Sequence, residues 1–215
     1  MQTVLSRRTT LALVTTIALA AANPALAGPP LVCFPFDIGT ATSLPWDGAH
    51  GWKGMRADYD LERLNGDTLR LLTPATPVIV RMETLRRAAL YATLDPAAAR
   101  ALTSALLARA KEKGAAGKPD TLALFDAGYF VETLKQTEPI SSSAAAAAAV
   151  VRQVDGYALV RDSLAVSGND AAIEFAAALI TSHPARAGHD EHARRARAGA
   201  PGNALLATNI GQLQR

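Results

Sequence analysis

The chain is short of the residues that most often do chemistry: one cysteine and four histidines in 215 residues, with aromatics at 5%. A single cysteine excludes an intramolecular disulfide framework, even in an oxidising compartment. No sign of charge dominates. The formal net charge of +3 includes Arg7 and Arg8 near the start, so the remainder is close to balanced. That balance argues against a phosphate-binding surface and a nucleic acid partner. Long apolar runs are also missing. Leu11 to Ala22 is well short of the roughly 20 residues a membrane span needs, and no later stretch is longer. No glycine-rich loop follows a strand-like run, and no Ser-His-Asp order stands out.

The first 27 residues, MQTVLSRRTTLALVTTIALAAANPALA, instead have the three parts of an export leader. Arg7 and Arg8 give a positive start, Leu11 to Ala22 a short apolar run, and Ala25-Leu26-Ala27 small residues for cleavage. Cleavage after Ala27 leaves a chain beginning at Gly28, in the periplasm or outside the cell. The paired arginines resemble a twin-arginine signal, but Thr10 stands where that signal carries a bulky residue, so general export fits better. Cys33 follows Pro30-Leu31-Val32, whereas lipidation needs a small residue directly before the cysteine.

What the chain has in quantity is alanine, 46 residues of it. Alanine is the best helix former and buries little area per residue, which favours closely packed helices over a sheet sandwich. The spacing predicts an all-α fold of antiparallel helical hairpins, repeat-like in part, over residues 60–213. Residues 28–59 read as a non-helical arm, because Pro29, Pro30, Pro35 and Pro45 preclude a sustained helix. The arm carries Phe34, Phe36, Trp46 and Trp52, and four large aromatics in water form a patch that soluble proteins avoid. The expectation is that the arm packs on the helices and supplies core that alanine cannot.

Helix signals begin at Asp60, with a break expected at Asn65-Gly66. Thr76-Pro77 and Asp95-Pro96 are start signals, Gly114 a stop, and Lys118-Pro119-Asp120 a further start. Ser141 to Ala149 is low complexity, either a mobile link or the frayed beginning of a helix continuing through Val150, Val154, Tyr157 and Leu164 to Gly168. Asn169-Asp170 caps the next. GYFVETL at 128–134 and GYALVRDSL at 156–164 both place Gly-Tyr in a helix, and glycine there marks close approach of another backbone. Within about residues 120–182, the stretch GYALVRDSLAVSGNDAAIEFAAAL at 156–179 resembles a tetratricopeptide-type repeat. Ser163-Leu164, Gly168, Ala177 and Ala178 stand near the family's small-residue and turn positions, while its first-helix tryptophan and turn proline are absent. The resemblance implies a concave surface that binds a protein or peptide, and no catalytic residues.

Two chemistries compete with that reading. Cys33 is a candidate nucleophile, with His50 as base and Asp37 or Asp47 to orient it. Its apolar neighbours Val32 and Phe34, with no cation beside it, predict a buried, unreactive thiol. His183, His189 and His192, helped by Asp190 or Glu191, form a candidate metal group. The nearby Arg186, Arg194, Arg195 and Arg197 oppose a bound cation and predict a solvated, charge-rich helix instead. Arginines in TLRR at 84–87 and cations in LARAKEKG at 107–114 read as ordinary solvated helix charges, and Asp60, Glu62 and Asp67 as complements to helix dipoles. The sequence therefore predicts an exported helical interaction or scaffold protein with a protein or peptide partner, no cofactor and no metal. Its rival is a small exported enzyme or metal-binding protein using Cys33 or the histidines.

Overall fold

The computed structural model describes residues 28–48, 52–112 and 117–214. The leader, His50 and Gly114 lie outside them. Among the described residues the fold is all-α, and the helices follow one another as α1 (Pro30–Cys33), α2 (Leu64–Leu71), α3 (Val78–Ala92), α4 (Pro96–Lys111), α5 (Thr121–Gln136), α6 (Ser142–Ala149), α7 (Gly156–Ser167), α8 (Ala171–Ser182), α9 (His189–Gly199) and α10 (Ala204–Asn209). None is long and apolar enough to cross a membrane.

Local chemistry sets most of the starts. Asp95, Asp120, Ser141, Asp155, Asp170 and Asn203 each accept a backbone N–H in the first turn of the helix that follows, meeting donors that no helical carbonyl can reach. Ser141 shows that the serine–alanine run is neither a link nor a frayed start. It forms α6, a capped helix with Ala144, Ala147 and Ala148 buried. The helix expected to continue from it is instead two helices, separated by a turn over Val150–Val154 and restarted by Asp155. The break expected at Asn65-Gly66 is absent: α2 runs through it. An exposed glycine there costs about 1 kcal/mol, which burial of Leu64 and Thr68 on the inner face offsets.

The centre consists of α3, α5 and α8. All of α3 but Arg87 is buried, as is every residue from Ala123 to Leu134 of α5 and from Ala172 to Thr181 of α8. Helices covered on every side are core helices. α5 and α7 meet where Gly128 faces Gly156. A Cβ on Gly128 would lie 2.5 Å from the Gly156 carbonyl oxygen, and one on Gly156 would lie 2.6 Å from that of Gly128. The two Gly-Tyr pairs are thus two sides of one contact.

The arm lies on this core. Leu31, Val32, Phe36, Ile38 and Leu44 are buried, Phe36 meets Phe175 edge-on, and Trp46 packs edge-on against Tyr91. Among its described residues, the one departure from the expected non-helical course is the single turn α1. An arm without a neighbouring strand has no ladder for its backbone groups, which still need partners. Side chains supply them. Phe36 N donates to Glu83 Oε2 at 3.0 Å, Arg86 Nη1 to the Val32 carbonyl at 3.0 Å, and Arg87 Nη1 to the Leu44 carbonyl at 2.6 Å. Tyr91 donates its hydroxyl to the Pro45 carbonyl, and Asn209 exchanges two hydrogen bonds with the backbone of Asp37. The arginines of TLRR are therefore not solvated helix charges. Arg86 and Glu83 are fully buried, and Arg86 holds Glu83 through Nε and Nη2 at 2.8 and 2.9 Å.

Candidate functional site

Between α8 and α9 the chain passes through residues 183–188, with a cis peptide before Pro184 and Gly188 in the left-handed region at φ +94°. Glycine adopts that conformation without strain. Arg186 N donates to the Thr181 carbonyl at 2.8 Å, which folds the connection back on the end of α8. Two concavities flank it, and His183 lines both.

The first is a cleft of about 420 Å³ with walls from Pro29 of the arm, Pro139 beyond α5, and Pro184 and Arg186 of the connection. Its charge is organised around Glu132, which is buried. Glu132 accepts from Lys135 Nζ at 2.7 Å, Gly156 N at 3.1 Å and Arg186 Nη2 at 3.3 Å. Lys135 also donates to the Val154 carbonyl at 2.6 Å. Two cations share this carboxylate, and with Glu138 also lining the cleft its acids and cations balance. Arg186, whose side chain is 36% exposed, is the one that reaches furthest into solvent. Glu138 at the rim is engaged by Arg152 at 3.5 Å.

The second concavity, about 330 Å³, lies on the other side of His183 and brings in His189, Gln212, Phe34, Leu179 and Leu213. Here the structure divides the candidate histidines. His183 and His189 border one cavity. His192 turns away into the interior, with Nδ1–H donated to Glu174 and Nε2 accepting the Tyr157 hydroxyl at 2.8 Å. Arg195 Nη1 takes the other Glu174 oxygen at 3.1 Å. No group of three histidine, cysteine, aspartate or glutamate side chains among the described residues is arranged to hold a metal ion.

The helix expected to be a solvated charge face is thus one-sided. Arg194 is exposed and paired with Glu191, while His192 is buried and Arg195 reaches a buried carboxylate. The carboxylate–imidazole–phenol chain of Glu174, His192 and Tyr157 fastens α7, α8 and α9 at one point. Burial raises the Tyr157 hydroxyl above its ordinary pKa, against the lowering pull of Arg161 and Arg186. The phenol stays protonated at neutral pH and is no nucleophile. A signal for this chain was present in the sequence: Glu174 interrupts an otherwise apolar helix, and a buried carboxylate requires partners.

Cys33 departs from the expectation in two ways. It is half-buried rather than buried, and a cation does act on it: Arg86 lowers its pKa, although burial is the larger effect and leaves the thiol raised. A raised thiol is the reverse of an activated one. Its pairing with His50 lies outside the described residues. Asp37 is occupied by Gly39 N. Asp60 accepts from Glu62 N at a helical start, and Asp67 is shared by Arg63, Arg70 and Tyr59. No family model, no curated protein and no solved structure matches the chain.

Proposed function

We propose that the chain is an exported helical interaction module that holds a protein or peptide partner by a carboxylate in the cleft beside residues 183–188. The single observation that carries this reading is the cleft's charge arrangement. Glu132 is shared by Lys135 and Arg186, and the guanidinium stands partly exposed at a proline-walled opening. A guanidinium matches a carboxylate in a planar, two-pronged geometry that few other groups offer. Proline walls give an extended segment apolar surface without competing N–H donors. The leader and the resemblance to tetratricopeptide-type repeats agree with a binding role for an exported protein.

A direct test measures fluorescence anisotropy of a short proline-containing peptide with a free C-terminal carboxylate, against the same peptide amidated. The free carboxylate is expected to bind at least tenfold more tightly, and Arg186→Ala to remove that preference while leaving the helical signal unchanged. Equal affinity for both peptides, or binding to neither, overturns the reading.

A further inference from the structure

The cleft beside residues 183–188 carries charge of both signs, and its two acids stand in different situations. Glu132 is committed within the protein: Oε1 accepts from Lys135 and from Gly156 N, and Oε2 from Arg186. Glu138 is not. Its carboxylate is 57% exposed, and its ion-pair partner among the described residues is Arg152, 62% exposed and 3.5 Å away. Arg152 does not line the cleft, whereas Glu138 does. A pair so exposed contributes little, so the cation of a ligand can replace Arg152 with small loss. Glu138 also lies just beyond the end of α5 at Gln136, where the negative pole of the helix favours a cation.

Arg186 marks the other end, because its guanidinium rests on Glu132 at 3.3 Å. Glu132 and Glu138 are six residues apart along α5 and the turn that follows it, a rise of about 9 Å at 1.5 Å per residue. An extended chain advances about 3.3–3.6 Å per residue, so about three residues cover that distance. The volume of about 420 Å³ sets a similar limit, near the lower end of ordinary ligand pockets. We infer, resting on the carboxylate reading above, that the ligand of this cleft is a free tripeptide in its zwitterionic form. Its carboxylate lies at Arg186 and its ammonium at Glu138, and Glu138 is the residue that selects a free N-terminus. The interior of a longer chain has no ammonium to offer there and leaves Glu138 with Arg152. Cleavage after Ala27 would add an α-amine at Gly28, which borders the neighbouring cavity rather than the cleft.

The experiment is titration calorimetry, on the chain beginning at Gly28, with alanyl-prolyl-alanine in three forms: free at both ends, N-acetylated and C-amidated. The acetylated form keeps the carboxylate and the amidated form keeps the ammonium. The free peptide is expected to bind about threefold more tightly than the acetylated one, the range of an exposed charge pair. Glu138→Gln should remove that difference and leave the preference for a free carboxylate intact. Arg152→Ala, which releases Glu138, should widen the difference by strengthening the free peptide alone. Both side chains are exposed, so neither change disturbs the core. Equal binding of the free and acetylated peptides, with the amide still weaker, overturns the inference and leaves the carboxylate reading standing. Equal binding of the free and amidated peptides, or binding of none, overturns that reading and the inference with it. A preference for the free N-terminus that neither variant alters overturns the assignment to Glu138.

Discussion

Glu83 on α3 and Glu132 on α5 are each buried and held between two cations, Arg86 and Arg87 in one case and Lys135 and Arg186 in the other. Around Glu83 the arrangement is closed. Arg86 is fully buried, and both guanidinium groups continue into carbonyls of the arm at Val32 and Leu44. Around Glu132 it is open. Lys135 and Arg186 are 28% and 36% exposed, and Arg186 faces the cleft. Among the described residues, the same triad of charges is thus a fastener where the arm covers it and partly exposed where the arm does not. Coverage, rather than residue type, separates the two roles.

The largest effect is expected on the closed side. Glu83→Gln removes the charge between two arginines and leaves Arg86 buried without its counter-ion, a change that typically costs about 3–5 kcal/mol. Urea denaturation should show that loss, and Trp46, flanked by Arg86 and Arg87 and packed on Tyr91, should shift its emission to the red as the arm loosens. A loss below about 1 kcal/mol would mean that the arm is held by its apolar contacts and its hydrogen bonds to Tyr91 and Asn209.

A second closed pair, Arg81 with Asp126, links α3 to α5 at 2.6 Å. Burial raises Asp126 to about 6 in spite of Arg81. The folded state therefore holds the proton more tightly than the unfolded chain, whose aspartate titrates near 3.8. Stability from this group is fully present below pH 3.8 and is lost as pH rises through 6, a change of about 3 kcal/mol at 1.36 kcal/mol per unit. The difference in unfolding free energy between the protein and Asp126→Asn, measured from pH 4 to 7, should carry that slope. A flat difference would show Asp126 to be charged throughout.

The glycine contact tests whether α5 can carry an open site at all. Gly128→Ala places a methyl 2.5 Å from the Gly156 carbonyl oxygen, so α7 must move. Overpacking of this kind costs about 1–3 kcal/mol. Because Gly156 N is one of the Glu132 donors, the displacement should also weaken carboxylate-peptide binding. An unchanged melting temperature would place the close approach elsewhere.

Helix type, the caps at Asp95, Asp120 and Asp170, and the glycine approach were legible in the sequence because each depends on a few neighbouring residues. Phe36 and Trp46 of the arm were legible as packing residues for want of any other place to bury them, whereas Phe34 and Trp52, read the same way, are only half-buried and stand outside the core cluster. The roles of Arg86, His192 and Glu132 were not, since a helical surface pattern cannot say which polar positions a distant segment will cover. TLRR looks solvated until residues 31–45 lie across it, and HDEH looks like an exposed helix until Glu174 is seen beneath it. The cavities were illegible for the same reason: their walls come from Pro29, Pro139, Pro184 and Gln212, which lie far apart in the chain.

The smallest effect is expected from the substitution that matches the first one on the open side. Glu132→Gln keeps an oxygen to accept from Gly156 N and removes only the charge. Lys135 and Arg186 then lose their shared counter-ion, but both can turn toward water, so neither suffers the penalty of a buried, unpaired charge. The cost should be about 1 kcal/mol, the range of a partly exposed pair, against several for Glu83→Gln. Binding should move the other way. With Glu132 neutral the cleft gains a net positive charge, and affinity for a free-carboxylate peptide should rise severalfold, more at low ionic strength than at high, because the attraction is screened. Urea denaturation of the two glutamine variants side by side, with anisotropy on the Glu132 variant, reads both quantities. Equal destabilisation at the two sites would break the distinction between a covered and a presented charge triad. Unchanged affinity with a small stability cost would keep that distinction and remove the cleft as the place where a partner's carboxylate is held.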